Sequence, residues 1–147
     1  MTTMNKYLIK KFREYSILEE SAESYSGLEG KLVERLLSIS GNDVKLGRDT
    51  ESEIKRMLDG KEFKGKVVYL EGEPNRCHAN VAKRAKGTKG FNITSGYALS
   101  DDGVWYSHSW GFNSHKKCVF ETTKNKYSKY YGYELNKAET IDFCSEN

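Results

Sequence analysis

The sequence predicts an α+β fold in which N-terminal helices precede a central helix packed on an antiparallel sheet. Before residue 60, apolar residues recur at spacings of three and four, as they do in amphipathic helices. After residue 60, short runs that alternate between apolar and polar residues predict strands, and one helical segment interrupts them. The length of 147 residues is that of a single domain. We divide this domain into a helical part (1–60) and a helix-plus-sheet core (61–147).

Three helices are expected in the helical part. The first has an apolar stripe formed by Met4, Leu8, Phe12 and Tyr15. The second begins at Ser26, which has capping-box spacing to Glu29. Its stripe consists of Leu28, Leu32, Leu36 and Ile39. The third begins with a second capping box, Thr50 and Glu53, and ends at Gly60. Its buried residues are expected to be Ile54, Met57 and Leu58.

The core is expected to consist of strands around one helix. The run "KVVYL" (66–70) predicts a strand, which Pro74 and Asn75 end. Asn75 is the expected N-cap of a helix from about Arg76 to Lys86, closed by Gly87. The runs "NITSGYALS", "GVWYSHSWGF" and "KCVFETT" predict three more strands, and "SDDG" (100–103) predicts the turn of a hairpin. A final helix is expected at 137–144.

Composition and charge limit the partners and the location that we expect for this protein. With 24 basic and 21 acidic side chains the net charge is +3, and no base-reading motif accompanies it, so nucleic acid is not the expected partner. The sequence contains no run of 18 or more apolar residues, and we expect no membrane partner. The N-terminus lacks the apolar segment of a secretory signal, and the three cysteines show no CxxC spacing. We therefore expect a reduced protein in the cytoplasm, and its oligomeric state is left open.

The second hairpin predicts a contact between a histidine and a carboxylate. A polar turn at 113–116 would place His108 directly opposite Glu121, with Cβ atoms about 4.5–5.5 Å apart. His108 would share its face with four apolar or aromatic residues, which are Val104, Tyr106, Trp110 and Phe112. A core histidine satisfied by Glu121 is one interpretation. A buried pair of this kind is costly, however, and it is better explained as the base and the orienting carboxylate of a catalytic set.

Cys77 is the candidate nucleophile for such a set. At about the second helical position, unpaired N–H groups and the helix dipole lower the pKa of a thiol and can bind an oxyanion. Cys77 lies on one stripe with Val81 and Ala85, so we expect the thiol to face the sheet. His78 is the next residue, but it points roughly 100° away around the helix, and we expect it to be a poor base for Cys77.

The chain has a cysteine at a helix start, "HSW" (108–110) on a later strand and "ETT" (121–123) on the next strand. This order of motifs resembles that of the transglutaminase-like and papain-like superfamily of cysteine enzymes. The resemblance covers roughly residues 66–125. It implies a papain/transglutaminase-like core and a catalytic triad with Cys77 as nucleophile, His108 as general base and acid, and Glu121 orienting His108. Glutamate stands here where the transglutaminase-like group usually has aspartate.

The resemblance also bears on the oxyanion site and on the reaction. Papain-like members use a glutamine before the cysteine as an oxyanion donor, but this chain contains no glutamine. Asn75 is the candidate substitute, and Trp110 is a candidate supporting residue. The implied function is that of an amide or peptide hydrolase, a deamidase or a transglutaminase-like enzyme. It would need no cofactor and no metal, and its substrate would be a protein, a peptide or a small amide.

Two other functions remain open on the residues alone. A zinc-binding domain would draw its ligands from Cys77, His78, His108, His115 and Cys118. A non-catalytic intracellular protein-binding module would use the segment "NKYSKYYGYEL" (125–135) as its surface, unless these tyrosines pack on the sheet.

Overall fold

The computed structural model describes residues 27–147, so the first predicted helix and the predicted cap at Ser26 lie outside the described residues. The described part contains four helices, which are α1 (Gly27–Ile39), α2 (Glu51–Leu58), α3 (Cys77–Gly87) and α4 (Lys137–Glu146). Its seven strands are β1 (Asp43–Lys45), β2 (Lys61–Glu62), β3 (Lys66–Tyr69), β4 (Asn92–Ser100), β5 (Val104–Asn113), β6 (Cys118–Glu121) and β7 (Tyr127–Glu134). None of these helices has the length and apolarity needed to cross a membrane. The α+β class is confirmed.

The seven strands form one mixed sheet in the order β2-β7-β4-β5-β6-β3, with β1 also paired to β5. The β4–β5, β5–β6, β4–β7 and β2–β7 pairs are antiparallel. The β1–β5 and β3–β6 pairs are parallel, so the expectation of a wholly antiparallel sheet is wrong. β1 and β3 are joined to their partners by long connections that contain helices and other strands. No hairpin therefore dictates their direction.

Strand β5 has a divided edge. On one side it pairs with β4 over nearly its whole length. On the other side it pairs with β1 at Val104–Tyr106 and with β6 at Gly111–Asn113. In the described part of the chain, residues 107–110 have no strand partner on this second side. We call this interval the β5 gap, and it contains His108.

The four helices cover one face of the sheet. Helices α1 and α2 contribute Leu32, Leu36, Ile54 and Met57 to a cluster that includes Tyr97 and Trp105. Val81 of α3 and Phe143 of α4 join a second cluster on the same face, with Phe91 and Ile93. We call this face the helix-covered face. Its apolar stripes are those predicted from the helical periodicity, and the capping box of Thr50 with Glu53 is confirmed.

The opposite face carries a separate aromatic cluster, which consists of Phe63, Ala98, Trp110, Phe112, Val119 and Tyr130. His108 projects from this face because it shares the alternation of Trp110 and Phe112. The tyrosine-rich segment forms β7, which lies between β2 and β4 in the sheet. Tyr130, Tyr131 and Tyr133 are buried there, so they are not available as the surface of a protein-binding module.

Candidate active site

Cys77 is the first residue of α3, one position earlier in the helix than expected. The prediction that Asn75 caps this helix is wrong, because the N-cap residue is Arg76, whose side chain makes no capping hydrogen bond. Asn75 has φ 60°, a left-handed conformation that asparagine tolerates, and with Pro74 it turns the chain into the helix. No side-chain acceptor at the N-cap therefore competes for the N–H groups of the first turn, which surround the thiol.

The buried Asn80 fixes the loop that precedes Cys77. Its Oδ1 accepts a hydrogen bond from the Glu73 backbone N–H (3.0 Å), and its Nδ2 donates to the carbonyls of Glu73 (2.8 Å) and Thr122 (3.2 Å). Gly72 approaches the same strand end so closely that a Cβ atom there would lie 2.3 Å from the Thr122 carbonyl oxygen. These contacts tie the start of α3 to the end of β6. The nucleophile candidate is thereby held against the strand that carries Glu121.

His108 and Glu121 form a buried pair. The His108 Nε2 atom lies 3.0 and 3.1 Å from the two carboxylate oxygens, and the residues are 3% and 0% exposed. The predicted contact is confirmed, but the predicted register is wrong. The turn occupies residues 114–117, so Phe112 pairs with Val119 and the ladder is displaced by two residues. A two-residue displacement keeps Glu121 on the face of His108, so the two side chains still meet diagonally.

Glu121 is fully provided with hydrogen-bond donors. Tyr130 donates its hydroxyl to Oε1 (2.8 Å), while Thr123 donates both its hydroxyl (2.6 Å) and its backbone N–H (3.1 Å) to Oε2. Burial alone would raise the pKa of this carboxyl, but His108, Thr123 and Tyr130 together lower it. Glu121 therefore stays ionised inside the protein, and it can orient His108 and stabilise its positive charge.

Aromatic rings surround the imidazole of His108. The Trp110 ring stacks at 6.0 Å between centroids, and the Tyr127 ring lies 4.7 Å away on a tilt. Burial by these rings lowers the pKa of His108, but the nearby Cys77 thiol and the hydrogen bond to Glu121 outweigh burial and raise the pKa to about 9. Because Glu121 holds Nε2, Nδ1 is the ring nitrogen left for the thiol. Trp110 is fully buried, so it supports His108 by packing and has no access to an oxyanion.

The Cys77 thiol is the group that can give its proton to His108. Burial would raise the pKa of this thiol, but the imidazoles of His108 and then of His78 outweigh burial and lower the pKa to about 5. A lowered thiol pKa beside a raised imidazole pKa favours the thiolate–imidazolium form of the pair at neutral pH. That pair is the resting form of an activated cysteine nucleophile.

His78 lies closer to the thiol than the helical geometry led us to expect. Its Nδ1 atom is 3.9 Å from the Cys77 sulfur and 2.8 Å from the Ser109 hydroxyl oxygen. The hydrogen bond to Cys77 is the main cause that raises the pKa of His78. Ser109, from a strand of the sheet, holds this imidazole beside the thiol, a position that the direction of His78 around the helix did not predict. Alternation along β5 is the signal that could have pointed to Ser109, since its side chain must face the helix-covered side.

An open groove of about 730 Å³ leads to the thiol. Cys77 and His108 line it together with Asn75, so Asn75 lies at the site although it is not the helix cap. The β4–β5 turn contributes Asp101 and Asp102, and the connection after β6 contributes residues 123–126, including two lysines. A volume of about 730 Å³ lies within the usual range of ligand-binding pockets.

The remaining residues of the zinc interpretation do not join this site. His115 is exposed in the β5–β6 turn, and Cys118 is buried in the cluster beside Phe91. Among residues 27–147, no three cysteine, histidine or acidic side chains are grouped as metal ligands.

Four further contributors were not anticipated from the sequence. They are Asn80, Thr123, Tyr130 and Ser109, each of which orients a neighbour of the thiol. Thr123 stands within the quoted "ETT" motif, and the tyrosine-rich segment contains Tyr130. Neither segment carries any local mark of contact with Glu121, because both contacts depend on tertiary packing.

We compared this chain with protein-family models, with curated proteins and with solved structures, and none of the three comparisons finds a match. The resemblance to transglutaminase-like and papain-like enzymes therefore rests on the short motifs and on the geometry described above.

Proposed function

We propose that this protein is a cysteine hydrolase or acyltransferase of the transglutaminase-like and papain-like type. The observation that carries the proposal is that Cys77 and His108 line one groove while the buried Glu121 holds the His108 ring at 3.0 Å. A thiol at a helix start, a base beside it and a carboxylate that orients the base form the arrangement that nucleophilic catalysis requires.

In the proposed mechanism the Cys77 thiolate attacks the acyl carbon of an amide. The carbonyl electron pair moves to oxygen, where N–H groups of the first turn of α3 can stabilise the negative charge. His108 then gives its proton to the leaving amine, the carbon–nitrogen bond breaks, and an acyl-thioester remains on Cys77. Water or a second amine attacks this thioester while His108 takes up its proton. The carbon–sulfur bond then breaks, which releases the acid or the new amide and restores the Cys77 thiolate beside the protonated His108. Hydrolysis, deamidation and transamidation differ only in the acyl donor and in this second nucleophile.

Glu121 has a supporting role in each step. It holds the Nε2 atom of His108, so Nδ1 is left to serve the thiol, and its charge stabilises the imidazolium form. The cost of burying this carboxylate is offset by the donors Tyr130 and Thr123. A glutamate can replace the more usual aspartate in this role because the diagonal register places it where the longer side chain reaches the ring.

The groove suggests the substrates. It is open along the β4–β5 turn and the connection after β6, so a protein segment, a peptide or a small amide would fit. We propose a cytoplasmic location, because all three cysteines are free in the structure and a reducing compartment keeps a reactive thiol in its active form.

Acylation by 4-nitrophenyl acetate tests the proposal without knowledge of the substrate. Wild-type protein should release 4-nitrophenolate in a burst and gain one acetyl group on Cys77, located by mass spectrometry of tryptic peptides. Cys77→Ala should abolish the burst, and His108→Asn should lower its rate by roughly 10²-fold or more. Cys144→Ala, which removes another partly exposed thiol, is the matched control and should leave the burst intact. Acetylation spread equally over the three cysteines would refute the proposed function.

A further inference from the structure

A second groove, alongside α3, has no part in the proposed mechanism. It encloses about 650 Å³, close to the volume of the groove that leads to Cys77. One wall is a single face of α3 and its N-cap, whose residues recur at spacings of three and four, namely Arg76, Ala79, Asn80, Lys83, Arg84 and Gly87. The segment 71–73, Thr88 and Lys124 complete the lining. We call this site the α3 groove.

The α3 groove carries an excess of positive charge. Four basic and two acidic side chains line it. Arg76 and Glu73 neutralise each other, because their charged groups lie 3.4 Å apart. Lys83, Arg84 and Lys124 remain, and in the described part of the chain none of the three belongs to an ion pair. The groove therefore presents three cations against one further carboxylate.

Hydrogen bonds to the backbone hold this groove in shape. The Arg84 guanidinium donates from Nε (3.2 Å) and Nη2 (2.8 Å) to the Glu71 carbonyl, and its Nη1 group has no partner among the described residues. The buried Asn80 ties the Glu73 backbone and the Thr122 carbonyl to the same helix. A cation fixed in this way loses little side-chain freedom when a ligand binds.

The α3 groove adjoins the groove at Cys77. Lys124 lines both of them, and two consecutive residues divide between them, since Asn75 lines the groove at Cys77 and Arg76 lines the α3 groove. From Arg76 to Arg84 the helix rises about 12 Å, a length that about four residues of extended polypeptide span. A chain that presents an amide to Cys77 can therefore reach the cations of α3 within a few residues.

We propose that the α3 groove binds an acidic segment of a polypeptide substrate, close in sequence to the amide that Cys77 attacks. The inference rests on the proposed function and narrows its substrate class to proteins and peptides with glutamate or aspartate on one side of the reacting residue. Carboxylates of this segment pair with Lys83, with Lys124 and with the open Nη1 group of Arg84. Charges at the rim of a binding site mainly raise the association rate and select the partner.

Nucleic acid is the other polyanion that a basic groove could bind, and the lining favours polypeptide. Among the described residues of the α3 groove there is no aromatic side chain on which a base could stack. Glu71 and Glu73 also stand in the lining, where they would repel a continuous row of phosphates. A peptide can instead place its carboxylates only where the cations are.

Affinity labelling of Cys77 measures this docking without any acyl transfer. The probes are peptides with an N-terminal chloroacetyl group, then Gly-Gly, then three glutamates, three glutamines or three lysines. A matched set carries the three residues before Gly-Gly and the chloroacetyl group on a C-terminal diaminopropionyl residue, so both directions of a bound chain are covered. Each rate of Cys77 labelling is divided by the rate with chloroacetamide, which cancels differences in the thiolate fraction.

At about 0.1 M salt, the glutamate probe of one order should label Cys77 roughly tenfold faster than its glutamine counterpart, from two or three exposed ion pairs. At about 1 M salt this preference should disappear. Lys83→Glu should reduce the preference by roughly 5-fold or more and speed labelling by the lysine probe, and Lys83→Gln should fall between wild type and Lys83→Glu. Lys116→Glu is the matched control, because it makes the same charge change at an exposed lysine that lines neither groove, and it should leave the preference nearly unchanged.

The outcomes separate this inference from the proposed function. Equal labelling by the glutamate and glutamine probes in both orders overturns the inference, and so does a preference that Lys116→Glu reduces as much as Lys83→Glu. If oligothymidylate suppresses labelling at concentrations far below those needed of an unreactive glutamate peptide, the groove binds nucleic acid and the inference is overturned as well. The proposed function fails by a different measurement, the absence of the 4-nitrophenyl acetate burst, which does not depend on the α3 groove.

Discussion

Alkylation at acidic pH should distinguish an activated Cys77 from an ordinary thiol far more clearly than alkylation at neutral pH. A thiol whose pKa is about 5 is about three-quarters ionised at pH 5.5, whereas a thiol at the ordinary 9.0 is about 0.03% ionised. The thiolate fraction of Cys77 at pH 5.5 thus exceeds that of an ordinary thiol by roughly 2,400-fold. At pH 7 the same comparison gives only about 100-fold.

Thiolates of low pKa are also weaker nucleophiles, and this effect decides which pH is informative. With a Brønsted coefficient of about 0.4–0.5, a pKa lowered by four units costs roughly 40- to 100-fold in intrinsic reactivity. At pH 7 this loss nearly cancels the gain in ionisation, so Cys77 should react only about 1- to 3-fold faster than an ordinary thiol. At pH 5.5 an advantage of roughly 25- to 60-fold remains.

The assay is alkylation with iodoacetamide at pH 5.5 and at pH 7, followed by mass spectrometry of the peptides that contain Cys77, Cys118 and Cys144. Glutathione in the same tube serves as the exposed reference thiol. We expect Cys77 to react roughly 25- to 60-fold faster than glutathione at pH 5.5 and at a similar rate at pH 7. His108→Asn should remove the advantage at pH 5.5. A Cys77 rate that falls with acidification in parallel with glutathione would refute the thiolate–imidazolium pair.

Three further predictions concern stability, each measured by denaturant unfolding. Between pH 5 and 6.5 the folded Cys77–His108 pair binds about 0.5–0.7 of a proton fewer than the unfolded chain, so the free energy of unfolding should rise by about 0.6–1 kcal/mol per pH unit from this pair. From about pH 7.5 to 9 both states bind nearly the same number of protons and the contribution is level. A wild-type rise that Cys77→Ser fails to reduce would contradict the sign of the thiol shift. Tyr130→Phe removes the hydroxyl that donates to Glu121 and should lower the free energy of unfolding by about 1.5–3 kcal/mol. Tyr133→Phe is the control and should lower it by less. Equal losses would show that the buried carboxylate does not need this donor. Asn80→Ala leaves the buried Thr122 carbonyl without its side-chain donor and should lower the free energy of unfolding by about 1–3 kcal/mol. If the rate of Cys77 alkylation at pH 5.5 is unchanged in this variant, Asn80 does not position the thiol.

Alternation along the strands was sufficient to predict the central contact of the site. His108 and Glu121 were assigned to one face of the second hairpin, and the structure places them there, although the turn begins at Ser114 and the ladder is displaced by two residues. The two side chains still share a face after a displacement of two residues, because side chains along a strand alternate with a period of two. The helix stripes and the Thr50 capping box were equally readable, because each depends only on local spacing.

The features that the sequence did not reveal depend on long-range packing or on competing local preferences. Strand β1 has three residues, too few to show an alternation, and nothing local marks its parallel pairing with β5. Asn75 resembles a cap, but asparagine also tolerates the left-handed conformation, and at this position the turn into α3 requires it. Helical geometry gave the direction of His78 but not the hydroxyl of Ser109, which comes from a strand 31 residues later.

The site depends on whether the number of residues in the Ser114–Lys117 turn is even or odd. Inserting one residue there would send the Glu121 side chain to the helix-covered face, and His108 would lose its carboxylate although no residue of the site had changed. Inserting two residues would return Glu121 to the correct face but shift it along the strand by about 6–7 Å. Chains that share this arrangement are therefore expected to vary freely in the composition of this turn but not by odd numbers of residues in its length.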